Sequence, residues 1–225
     1  MDALFSFYSN HSLAVELSLD GAIIAAAAWL YRRGSRVVGW VLVSFIFTVL
    51  STVNYQILSE RFGVSLKSAM GTPMELVINA PYVAFFALGV VALIIATTRQ
   101  RVLAAALSTV VLTAILAFLL QGLIATGNPL QNQILHVICF ALTSLIIGFG
   151  AVNLFTVSNP LGRTIGVGYI SIALSGLFFQ ITEIYPTSPL GSAIDLSWTL
   201  GQLIVLAALA SLWLRHPPSG QIQSS

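Results

Sequence analysis

Seven apolar stretches of about 20 residues recur along the chain, near 13–31, 37–58, 76–97, 102–125, 134–157, 165–184 and 192–214, with short polar intervals between them. Each is long enough to cross about 30 Å of hydrocarbon as a helix. None shows the strict alternation of a barrel strand, and backbone groups in lipid need partners within their own segment, so all seven read as helices. The expected fold is all-α, a polytopic seven-transmembrane-helix bundle over residues 1–214. A short, polar tail over 215–225, with Pro217 and Pro218, is expected to be disordered. The first stretch is not read as a signal peptide, because no basic residue precedes it and Trp29-Leu30-Tyr31-Arg32-Arg33 is a poor cleavage site.

Composition strengthens this picture. With 57% hydrophobic and 7% charged residues, and a mean hydropathy of +0.95, the chain has too little polar surface to cover a soluble globule. An integral membrane protein is expected, in a bacterial inner (plasma) membrane, with the lipid bilayer as its surroundings and no nucleic acid as partner.

Charge orients the bundle. Arg32, Arg33, Arg36, Arg99, Arg101, Arg163 and Arg215 fall at one set of segment ends, and only Arg61 and Lys67 fall at the other. By the positive-inside rule the first set is cytoplasmic, which places the N-terminus outside and the C-terminus inside. All seven acids then lie toward the outer side: Asp2, Glu16, Asp20, Glu60, Glu75, Glu183 and Asp195. Ionisable groups within hydrocarbon are costly and usually face the bundle interior or a wet cavity. Glu16 and Asp20, spaced i,i+4, share one helix face. With Glu75, Glu183 and Asp195 they are expected to line an outward-opening acidic vestibule. The alternative is that several, Glu16, Glu75 and Glu183 above all, lie at headgroup depth and are simply hydrated. The longest external loop, roughly 59–75, is either a lid over this vestibule or a plain connection.

Uncharged polar residues interrupt the same halves of the segments. Ser51, Thr52, Asn54, Tyr55 and Gln56 lie in the second, Asn79 beside Pro81 and Tyr82 in the third, Gln180 and Thr182 in the sixth, and Ser197, Trp198, Thr199 and Gln202 in the seventh. A proline beside a polar residue is a common construction of cavities among helices, although such residues also serve as hydrogen-bonding glue. The expected ligand-binding set is Asp195, Trp198, Asp20, Glu16, Glu75, Asn79, Tyr55 and Gln180.

Other chemistry is sparse. Cys139 stands alone, which excludes an intramolecular disulfide. His11, His136 and His216 do not read as a haem pair or a metal site. There is no Gly-x-Ser-x-Gly elbow, and Ser175-Gly176 reads as a helix contact rather than a nucleophile. No enzymatic activity is expected.

The run Asp195-Leu196-Ser197-Trp198-Thr199-Leu200-Gly201-Gln202-Leu203 resembles the last helix of the seven-transmembrane sensory input modules of bacterial histidine kinases and diguanylate cyclases, which carry an Asp-x-x-Trp-x-x-Gly pattern there. The resemblance implies a sensor that binds a ligand and passes a rearrangement onward. It departs from those modules in ending on a Pro-Pro tail instead of a helical linker. A weaker resemblance is to microbial rhodopsins, through Thr52-Val53-Asn54-Tyr55, through Glu75 placed six residues before Pro81, and through Asp195 with Gly201. Their retinal-bearing lysine would fall at Thr199, and the chain's single lysine is Lys67, so covalent retinal is excluded and no cofactor is expected. Three readings follow: a receptor-like bundle taking a small ligand, perceived from outside and relayed to a partner; a small-molecule or cation transporter; and a structural subunit of a larger membrane complex. The small-residue faces of the first and fourth segments suit a homo-oligomer or a membrane-protein partner.

Overall fold

A computed structural model describes residues 2–32, 34–63, 69, 72–97, 100–156, 160–185 and 187–215, and for 2–12, 59 and 215 the backbone alone. Seven long helices run in order among the described residues: α1 (Asp2–Tyr31), α2 (Arg36–Phe62), α3 (Pro73–Ala96), α4 (Arg101–Ala125), α5 (Leu130–Thr156), α6 (Pro160–Ile184) and α7 (Gly191–Arg215). All seven are long and apolar enough to cross a membrane, and no strand occurs among the described residues. The chain is an all-helical integral membrane protein. Lys67, His216, the remainder of the tail and residues 64–68, 70 and 71 of the 59–75 loop lie outside the described residues, as does the His11 side chain.

Several helices begin earlier than hydropathy alone indicates. α6 starts at Pro160 rather than near 165, because proline at the first helical position has its φ already set and lacks only an N–H that would be unpaired there anyway. The Thr72 side chain accepts a hydrogen bond from the Met74 N–H at 3.2 Å, and Pro73 follows it, so α3 also starts on a cap and a proline. α5 takes in the polar turn Gln131-Asn132-Gln133, which an apolar window passes over.

α1, α2, α3, α5, α6 and α7 form a closed ring of neighbours, with α1 packed on α7. α4 stands outside it against α5 and α6. Its small face turns inward: Ala104 and Ser108 are buried, and a Cβ at Gly148 of α5 would stand 2.8 Å from the Ala104 carbonyl oxygen. The side away from α5 carries Val102, Val110 and Phe118, all strongly exposed, as a lipid-facing surface would be. α6 and α7 also meet backbone to backbone. A Cβ at Gly168 would lie 3.0 Å from the Gly201 carbonyl oxygen, and one at Gly201 would lie 2.7 Å from that of Gly168. Ser171 and Ser175 of α6 donate to the carbonyls of Ser197 and Ile194 on α7, each at 2.8 Å. Ser175 is thus a helix tie, as expected for a small polar residue between membrane helices.

Candidate functional site

Pro81 has no N–H to offer the carbonyl four residues back, which is Val77. The Asn54 side chain of α2 supplies the missing donor, 3.1 Å from the Val77 oxygen. Two residues before Pro81, Asn79 donates to the Glu75 carbonyl at 3.1 Å. This repaired stretch of α3 forms one wall of a cavity.

The cavity has a volume of about 400 Å3 and lies among α1, α2, α3, α6 and α7. Glu16 and Leu13 reach it from α1, Thr48, Ser51, Thr52 and Tyr55 from α2, Asn79 and Tyr82 from α3, Ser175 and Phe179 from α6, and Asp195 and Trp198 from α7. Asp195 and Trp198 share a helix face because they are three residues apart. Trp198 stacks on Tyr82, with ring centroids 5.7 Å apart and planes at 24°, and its other neighbour, Phe85, is 5.6 Å away. Phe85 in turn meets Phe45 and Tyr169, and the Tyr169 hydroxyl is 2.5 Å from that of Ser44. Stacked rings and an apolar wall beside two carboxylates suit a small organic cation, attracted both by charge and by the ring faces.

Five of the eight residues expected at a ligand site therefore line one cavity: Asp195, Trp198, Glu16, Asn79 and Tyr55. Asp20 does not line it. One turn further along α1, it is buried and accepts a hydrogen bond from the Gln202 side chain of α7 at 2.7 Å. The Gln202 Oε1 atom is buried with no partner.

Glu75 and Gln180 go elsewhere, as does Glu183, which the charge pattern grouped with the vestibule. Successive helical positions turn by about 100°, so Phe179 can face the cavity while Gln180 faces α5. There Gln180 Oε1 is hydrogen-bonded to Nδ1 of His136. His136 Nδ1 is 3.7 Å from a Glu183 oxygen, and its Nε2 is 3.5 Å from a Glu75 oxygen. Asn132, one turn before His136, donates to the other Glu75 oxygen and to the Thr72 carbonyl. A single vestibule holding all five membrane-depth acids is therefore not what forms. Glu16 and Asp195 line the cavity, Asp20 pairs with Gln202, and Glu75 and Glu183 belong to a second polar cluster around His136.

His136 and Asn132 were invisible as partners of Glu75 because the pairing is made across helices. A signal did exist within the segments: Asn132 and His136 are i,i+4, and Gln180 and Glu183 are i,i+3, each pair on one face. Among the described residues, no three His, Cys, Asp or Glu side chains converge as metal ligands would. No protein-family model matches this chain, and the comparisons with curated proteins and with solved structures likewise return no match.

Proposed function

We propose that the chain is a receptor-like, sensory membrane bundle that binds a small organic cation in the cavity and relays its presence to a partner in or at the membrane. The observation that carries this reading is the convergence of Glu16 and Asp195 with the stacked Trp198–Tyr82 pair on one cavity. The distribution of basic residues supports an orientation with the N-terminus outside and the C-terminus cytoplasmic, in a bacterial inner membrane, so that the cavity takes its ligand from outside. The Asp195-x-x-Trp198-x-x-Gly201 pattern of sensory modules supports the class, since its acid and its ring both line the cavity and its glycine permits the close contact of α7 with α6. Packed aromatic side chains beyond the cavity, with Phe45, Phe85 and Tyr169 fully buried, favour a closed binding site over an open channel. No enzymatic step and no covalent retinal belong to this reading.

A transporter is the second reading. Glu75, His136 and Glu183 favour it, because ionisable groups buried within spanning helices commonly mark ion pathways. The test of the first reading is ligand-induced thermal stabilisation of the detergent-solubilised protein over a panel of amines, lipids and sugars. Amines are expected to stabilise the wild type. Stabilisation by sugars alone, or by none of the panel, would contradict it.

A further inference from the structure

Glu75, His136 and Glu183 are buried together between α3, α5 and α6, and the cavity's ligand chemistry makes no use of them. Both nitrogens of the imidazole face oxygen: Nε2 faces Glu75, and Nδ1 faces Glu183 and the Gln180 side-chain oxygen. A neutral ring has one N–H and can donate to only one of these sides; the ring carrying two N–H groups donates to both. With two carboxylates beside it, such a ring leaves one negative charge in a buried cluster. One more proton, on a carboxylate oxygen, brings the three groups to neutrality, which a low-dielectric interior favours.

Two further observations point to a proton at this place. Asn132 is fully buried and spends its amide N–H groups on Glu75 and the Thr72 carbonyl, while its Oδ1 has no partner. That oxygen is a spare acceptor beside the carboxyl, suited to an O–H donor. A void of about 10 Å3, the size of one water, is lined by Tyr82, Cys139, Thr143, Gly176 and Gln180. Tyr82 also lines the main cavity, and Gln180 also touches His136, so the void lies between the cavity and the imidazole with one of these side chains on each side.

We infer that Glu75, His136 and Glu183 form a proton-binding site that exchanges its proton by way of the cavity, with Tyr82 and Gln180 between them. A proton arriving on water forms an O–H bond to a glutamate oxygen as its bond to water breaks; on release the reverse occurs. Tyr82 on α3 and Cys139 on α5 are the other titratable side chains at the cluster's edge. α4 brings none, since its ionisable residue Arg101 lies at the opposite end of that helix. Tyr185, just past α6, packs against Gly122 of α4. The inference stands whether the cavity serves a receptor or a transporter.

Infrared difference spectra of the full chain in lipid nanodiscs, taken between about pH 5 and pH 8, the range in which histidine chemistry is exercised, test it. The expected spectrum contains a carboxylic-acid C=O band that moves when glutamate, and not aspartate, is 13C-labelled. It also contains a ring band that moves with 15N-histidine. E75Q or E183Q should abolish the cluster's acid band, H136Q should displace that band and reduce the ring band, and E60Q, at the exposed C-terminal end of α2, should leave both in place. Should a variant of the cluster fail to fold, the part of the glutamate-sensitive acid band that survives in E16Q and in E60Q belongs to Glu75 or Glu183, the two other glutamates of the chain. A wild-type spectrum with no glutamate-sensitive acid band would overturn the inference, and so would bands unchanged by E75Q, E183Q and H136Q. The cluster would then be a static tie between helices.

Discussion

Asn54 and Pro81 are 27 positions apart, yet they act on the same carbonyl. The proline removes the N–H that Val77 would have received, and the asparagine replaces it. Asn54→Leu should therefore destabilise the bundle by on the order of 1 kcal/mol, the scale of an interhelical hydrogen bond in a membrane. In a Pro81→Ala background, where the backbone amide is restored, the same change should cost much less. Reversible unfolding in mixed micelles gives both numbers, and equal costs in the two backgrounds would refute the repair. Single residues were legible in the sequence where their chemistry is intrinsic: Asp195, Glu16 and Trp198 stand out as costly or amphipathic groups at one depth. Their partners were not legible. Whether Asp20 lines the cavity or binds Gln202 depends on a rotation of one turn of α1 against α7, and nothing local in the sequence records that rotation.

At the scale of elements, hydropathy located all seven helices, and it erred mostly at their starts: α1 begins at Asp2 rather than near 13, and α5 takes in the polar turn that follows Leu130. It did not reveal which helix stands outside the ring, because the outer position of α4 depends on its contacts with α5 and α6. Of the small residues of α4 that were legible as a contact face, Ala104 and Ser108 meet Gly148 of α5 within the chain, while Ala105 and Ala106 stay exposed. The Gly168–Gly201 contact between α6 and α7 has no slack on the backbone side. Gly201→Val should drive the two helices apart and cost about 1–3 kcal/mol, the usual range for overpacking. Gly21→Ala, which meets nothing within 4 Å, should be tolerated. Comparing the two melting temperatures in detergent checks this, and an equal loss at both positions would contradict it. α7 carries Thr199 where a retinal-binding helix would need a lysine. Added all-trans retinal should accordingly give no borohydride-trappable pigment, and a trapped adduct on any helix would contradict that expectation.

Seven spanning helices put the two ends of the bundle on opposite sides, and the basic residues predict which side is which. A cysteine placed at Ser35 should react with an impermeant thiol reagent only after the membrane is opened, whereas one placed at Ser65 should react in intact cells. The reverse pattern would turn the cavity to face the cytoplasm. The central claim is that this cavity selects a positive charge held against aromatic rings. Its most direct measurement compares the affinity of the purified protein for a small quaternary ammonium ion with that for its neutral carbon isostere, in wild type, D195N and W198A. The account predicts that the wild type prefers the cation. It also predicts that D195N lowers the cation's affinity by a factor corresponding to about 1–3 kcal/mol while leaving the isostere nearly unaffected, and that W198A weakens both. Equal binding of cation and isostere by the wild type, or a cation affinity untouched by D195N, would contradict it.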